Sequence, residues 1–230
     1  MPDAEVGTVL VTGGASGLGR AVADAVDKAG GTPVVLDIAE PAADVEWLTV
    51  DLADARGTEK AVAQVVEQHG GLDAVVTAAG IDACGDLANV PAIDWERVIA
   101  VNLVGTAAVV RAALPALIAR QGRVVTVAST LGVRALPAAT AYSASKFGVV
   151  GFTRALAAEL AGKVGVTLLL PGGMRTAFFD DRPEQFKPAA DQPLNEPEDV
   201  AEAVLFALRQ PRGCEVRELL IIPSVEPSWP

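Results

Sequence analysis

The chain has 230 residues and a mass of 23.5 kDa, enough for one well-buried α/β domain and too little for two full ones. Apolar residues make up 51% and charged residues 20%, a balance that excludes intrinsic disorder as the default. The net charge of −11 repels nucleic-acid phosphates and anionic membrane surfaces, so neither is an expected partner.

The first stretch, residues 1–11, has acidic residues and a short apolar run where a secretory signal needs a basic start and a longer apolar core. No apolar run approaches the roughly 20 residues of a membrane-spanning helix. Cys84 and Cys214 lie far apart, with neither metal-ligand nor disulfide spacing, and both are expected to be reduced. A cytoplasmic protein without a metal site is the plain expectation.

Strand-sized apolar runs recur at residues 8–11, 33–36, 47–50, 74–77, 124–127, 166–170 and 219–222. Each is rich in Val, Leu or Ile without polar alternation, as expected when helices cover both faces of a strand. Between them, residues 18–28, 57–68, 95–120, 142–161 and 197–209 carry helical spacing and much alanine. Strand and helix thus alternate, which predicts a doubly wound parallel sheet of about seven strands, a Rossmann fold in a single domain spanning 1–230. Residues 172–196, broken by Pro183, Pro188 and Pro193, read as an irregular segment, of which 175–196 would cover a substrate. The tail, residues 223–230, cannot continue a helix and is expected to pack on a surface.

The turn from Thr12 through Gly13, Ser16, Gly17 and Leu18 to Gly19 follows the first strand and opens the first helix. Glycines there let the backbone approach a pyrophosphate, whose charge meets amides and the positive end of the helix dipole. Asp37 ends the second strand 18 positions after Gly19, where a carboxylate can accept both hydroxyls of an adenosine ribose. A 2′-phosphate would be repelled there, and no Arg or Lys lies within the turn, so NAD is expected over NADP, with Ile38 as a neighbouring contact. Tyr142 and Lys146, four apart at the start of a helix, share one face, and an adjacent ammonium favours a phenolate. Ser129, at the end of the fifth strand, could hold a substrate oxygen. Taken alone, such a Tyr and Lys pair is common on helix surfaces.

The glycine turn, Asp51-Leu52, Ala78-Ala79-Gly80, Asn102, Ser129, the run from Tyr142 to Lys146, and Pro171 to Thr176 stand in an order and spacing that resemble the short-chain dehydrogenase/reductase family in its compact single-domain form. The resemblance runs over about residues 8–222. It implies Tyr142 as catalytic acid/base, Lys146 lowering its pKa and binding the nicotinamide ribose, Ser129 holding the reacting oxygen, and Asn102 positioning a water. It also implies that Asp51 and Leu52 lie beside the adenine, that Ala78, Ala79 and Gly80 line the cofactor, and that Pro171, Gly172, Met174 and Thr176 cover the nicotinamide. Two features depart from the family pattern. Ala78 replaces an Asn whose side-chain hydrogen bond would then be lost, leaving a looser turn, and the tail replaces a Gly-rich end.

The expected reaction is hydride transfer between NAD and a small secondary alcohol or ketone. Phe178, Phe179 and Phe186 would form an apolar lid, opposite Leu131, Val133, Ile81, Ala83 and Cys84. Arg134 and Arg175 are candidates to pair with a substrate anion, and His69 is expected to meet the last carbonyls of its helix. An NADP-dependent carbonyl or 3-oxoacyl reductase and a non-catalytic NAD-binding regulator are the alternatives. The Ala-rich helices 104–120 and 142–161 are expected to meet copies of themselves in a homodimer or homotetramer.

Overall fold

The computed structural model describes residues 6–42, 44–226 and 229. Seven parallel strands form one sheet: β1 (Thr8–Thr12), β2 (Thr32–Asp37), β3 (Glu46–Thr49), β4 (Ala74–Thr77), β5 (Arg123–Val127), β6 (Gly165–Pro171) and β7 (Glu218–Ile221), in the order β3-β2-β1-β4-β5-β6-β7. Successive side chains alternate between two apolar layers, as the strand period requires. Leu10, Leu36, Val75 and Val124 face α2 (Ala55–Gln68) and α4 (Thr106–Arg120), meeting Val62, Val109 and Leu117. Val9, Val11, Val76 and Val125 face α1 (Gly17–Lys28) and α6 (Pro197–Leu208), meeting Val22, Val26, Val200 and Val204. Both faces are covered, which is why the strands read as unbroken apolar runs.

The order reverses at β1, whose neighbours are β2 on one side and β4 on the other, so a crevice opens beyond the carboxyl ends of β1 and β4. The helix expected over 95–120 begins earlier and is divided: α3 (Ala92–Ile99) passes through a π-helical turn, Ala100–Gly105, into α4. That turn takes the chain past Leu52 closely enough that a Cβ on Gly105 would lie 2.7 Å from its carbonyl oxygen. The whole stretch Ala92–Arg120 is 29 residues, long and apolar enough by length and composition to cross a membrane, and half of its most apolar window is buried within the fold. The sequence pattern missed this because Asn102 and Arg111 interrupt the apolar run. α5 (Thr140–Glu159) packs along β6 and brings Tyr142 and Lys146 to the open end of the sheet.

Candidate active site

A cavity of about 600 Å³ fills the crevice at the carboxyl ends of the strands. At one end lies the turn into α1. Gly13 adopts φ +73°, and a Cβ there would meet the Ala79 backbone at 2.7 Å. A Cβ on Gly19 would lie 2.2 Å from the Gly13 carbonyl oxygen, so only glycine lets the helix close on the turn. Ser16 precedes α1 without a side-chain capping bond, and the first turn carries no acidic residue. The amides and the positive helix end are therefore left for an anion. Asp37 accepts from the amides of Ala15 at 2.9 Å and Ala39 at 3.0 Å, which braces the turn. A carboxylate has about four acceptor positions, so capacity for hydroxyl donors remains. Arg20, which follows the turn, pairs with Asp24 at 3.7 Å.

Every residue expected to contact the cofactor lines this one cavity: Gly13, Ser16 to Gly19, Asp37, Ile38, Asp51 and Leu52 at one end, Ala78 to Gly80 in the middle, and Tyr142, Lys146, Pro171, Gly172, Met174 and Thr176 at the other. The Asp51 carboxyl is held below its usual value by the Ala53 amide and by Arg97, whose Nη2 lies 3.1 Å away. The turn expected to be loosened by Ala78 is tied down by other means. The Ala79 amide donates to Thr12 Oγ1 at 3.2 Å, and the Ile81 amide donates to Asn102 Oδ1 at 2.8 Å.

Ser129, Tyr142 and Lys146 converge on the cavity wall. Ser129 lies two residues beyond β5 and caps a short 3₁₀ turn, Thr130–Gly132, by accepting from the Leu131 amide at 3.1 Å. Burial pushes the Tyr142 phenol up to about 12, with a hydrogen bond from Ser129 acting in the opposite sense. Lys146 is buried, its Nζ donates to the Val127 carbonyl at 2.8 Å, and burial pushes it down to about 8. Its Nζ stands 5.6 Å from the Tyr142 ring centre. A phenol acidified by its lysine neighbour was the expectation. In this structure desolvation governs both groups, and it acts against charge on each.

Asn102 does not reach the cavity surface. From the π-helical turn its Nδ2 donates to the Ile81 carbonyl at 2.9 Å and to Ser145 Oγ at 3.0 Å, so it stitches the turn after β4 to α5 from behind. Among the wall residues expected opposite the lid, Ile81 and Leu131 line the cavity, whereas Val133, Ala83 and Cys84 do not. Cys84 donates to Asp82 Oδ2 at 3.1 Å, and burial pushes its thiol up to about 12. Phe178, Phe179 and Phe186 all line the cavity, with the Phe178 ring 5.7 Å from that of Tyr142.

The arginine on this wall is one the sequence reading passed over. Arg175 pairs with Glu196 at 2.8 Å outside the cavity, and the Arg134 guanidinium lies 5.8 Å from the Trp229 ring. Arg182 instead lines the cavity and pairs with Asp82 at 2.6 Å. Glu226 was missed as well. It lines the cavity and accepts from the Gly173 amide at 3.0 Å, so the tail folds over the chain's own crevice as far as it is described; residues 227, 228 and 230 of the tail lie outside the described residues. His69 reaches Glu46 at 3.1 Å rather than the helix carbonyls.

This arrangement matches known proteins along nearly the whole chain. A family model described as short chain dehydrogenase matches residues 7–187. The 3-oxoacyl-(acyl-carrier-protein) reductase FabG of Thermotoga maritima is 33% identical, with 86% of this chain and 88% of that protein covered. The 2-(S)-hydroxypropyl-CoM dehydrogenase 3 of Xanthobacter autotrophicus is 30% identical, covering 87% and 88%. The ligand-free aldohexose dehydrogenase of Thermoplasma acidophilum superposes with a TM-score of 0.84 at 24% identity over 94% of this chain and 92% of that one. An alcohol dehydrogenase from Thermococcus sibiricus, complexed with 5-hydroxy-NADP, gives 0.81 at 25% over 93% and 95%. A seven-stranded parallel sheet with a glycine turn at its crevice, matched over this length, makes the chain an oxidoreductase of the short-chain dehydrogenase family.

Proposed function

We propose that the chain interconverts a secondary alcohol and its ketone with NAD as cofactor, using Tyr142 as acid/base. The observation that carries this reading is the convergence of Ser129, Tyr142 and Lys146 on a cavity whose far end is the glycine turn and Asp37. The far end suits a dinucleotide: Gly13 and Gly19 leave no Cβ in the way, no carboxylate occupies the first turn of α1, and Asp37 keeps acceptor capacity. When bound, NAD would take the hydride from the carbinol carbon or, reduced, return it.

The chain's own residues handle the proton and the oxygen. Tyr142 rests as the neutral phenol, so in the reducing direction it gives its proton to the oxygen as negative charge develops there. Ser129 donates to the same oxygen and holds it against Tyr142. Oxidation needs the phenolate, which burial opposes, and a Lys146 ammonium on the same helix face would act in its favour. Asn102 positions rather than reacts, since its side chain is engaged by Ile81 and Ser145. Residues 175–196 cover the substrate with Phe178, Phe179 and Phe186. Homodimer or homotetramer assembly through α4 and α5 has support in their exposed Ile118 and Phe147.

A second reading, an NADP-dependent 3-oxoacyl or carbonyl reductase, draws on the likeness to FabG and to the alcohol dehydrogenase complexed with 5-hydroxy-NADP. The Asp37 carboxylate at the end of β2 weighs against a 2′-phosphate there. The test is a panel of secondary alcohols and ketones followed by nicotinamide absorbance, with NAD(H) and NADP(H) in parallel. The proposal expects turnover with NAD(H) at least about tenfold above that with NADP(H), and equal or reversed preference refutes the NAD assignment.

A further inference from the structure

Arg182 belongs to the irregular segment, yet it is among the most tightly held side chains of the cavity wall. Its Nη2 donates to Asp82 Oδ2 at 2.6 Å, and its Nη1 lies 3.5 Å from the Phe186 carbonyl. The guanidinium carbon sits 5.0 Å from the Phe178 ring centre and 4.6 Å from that of Phe179, so the cation lies against two aromatic rings set nearly perpendicular to one another. Asp82 is itself fixed: its side chain is 6% exposed, and it accepts from the Ala83 amide at 2.7 Å and from Cys84. A guanidinium has five N–H donors. Among the described residues only the two acceptors just named meet them, and Nε is closed to water with no partner at all. Nε is out of a ligand's reach, so the donors a ligand could meet are those left on Nη1 and Nη2 of this cavity-lining side chain.

The position relates Arg182 to the reacting group. Phe178 packs against both the guanidinium and the Tyr142 ring, and both Asp82 and Arg182 are near enough to bias the titration of Tyr142. The charge on the guanidinium is already balanced by Asp82. A second carboxylate brought here would meet Asp82 as well as Arg182, whereas an uncharged oxygen needs only a donor.

We propose that Arg182, braced by Asp82, is a specificity-determining residue that donates to a second, uncharged oxygen of the substrate, such as an ester, thioester or ketone carbonyl near the carbinol carbon. This rests on the oxidoreductase reading above and narrows its substrate class.

The experiment compares ethyl β-hydroxybutyrate with heptan-2-ol, which has the same chain length without the carbonyl, and with free β-hydroxybutyrate, using NAD and the full chain. The expected result is a kcat/KM for the ester at least about tenfold above that for the plain alcohol, the size of one hydrogen bond to a charged donor, and above that for the free acid. In R182M the ratio of ester to plain alcohol falls below about threefold, while R182K, which keeps a donor, retains part of it. A wild-type ratio near one, or a preference for the free acid, overturns the proposal without any variant. A parallel fall of both substrates in R182M, with the ratio kept, overturns it too and leaves Arg182 a packing residue of the lid. Turnover of other alcohols but none of the three probes overturns the proposal alone, and absence of turnover with every alcohol and ketone overturns the reading on which it rests.

Discussion

Replacing Lys146 with Met removes a cation that the fold holds almost wholly away from water, at 4% exposure, while keeping the volume of its stem. Burial takes its ammonium from an ordinary 10.5 to about 8. A lowered folded value means that the unfolded chain binds the proton more tightly. The contribution of this group to stability is therefore present above about 10.5 and lost as pH falls through about 8. The full difference is about 3 kcal/mol, of which about 2–3 kcal/mol develops between about pH 7 and pH 10. Tyr142 acts in the opposite sense, since its raised value contributes stability below its ordinary 10 that is lost as pH rises through about 12, so the window is closed at about pH 10. Thermal melting of the cofactor-free wild type and K146M across that window gives the readout. The difference, wild type minus variant, should rise by roughly 4–12 °C for a chain of this size. A difference that stays flat with pH would refute the reasoning, because it would mean that Lys146 carries its charge in the fold as easily as in water.

Asp37→Ser removes the carboxylate set against a 2′-phosphate, and the ratio of NADH to NADPH affinity, measured by fluorescence titration, should fall at least about tenfold; an unchanged ratio would place the discrimination elsewhere. Asn102→Ala strips three hydrogen bonds that hold Ile81 and Ser145. Denaturant titration should register a loss of about 2–4 kcal/mol, and a loss below about 1 kcal/mol would contradict the stitching role.

The fold was legible because its signal is local and repeated. Parallel strands buried on both faces must be unbroken Val, Leu and Ile, so residues 74–77 could be read as a strand directly, and β4 spans the same residues. Gly13, Gly19, Asp37, Tyr142 and Lys146 were legible as well, since each stands at a fixed offset from the end of a strand or the start of a helix. Arg182 and Glu226 were not. They lie in segments without periodicity, and their place on the cavity depends on partners 100 and 53 residues away, Asp82 and Gly173. The state of Lys146 and Tyr142 was also out of reach, because a pair four apart on a helix reveals proximity but not how much water the sheet and the Val127 carbonyl exclude. Asn102 was expected, from the resemblance alone, to position a water; only the π-helical turn decides that its side chain points toward Ile81 and Ser145.

Tyr142→Phe keeps the ring and removes only the hydroxyl that is set to move the proton. Turnover of whichever alcohol or ketone the wild type accepts, measured beside NADH affinity in the same preparation, therefore addresses the acid/base role most directly. The account predicts a kcat reduced about 10²–10⁴-fold with nucleotide affinity kept within about threefold. Undiminished turnover in the Phe variant would contradict it.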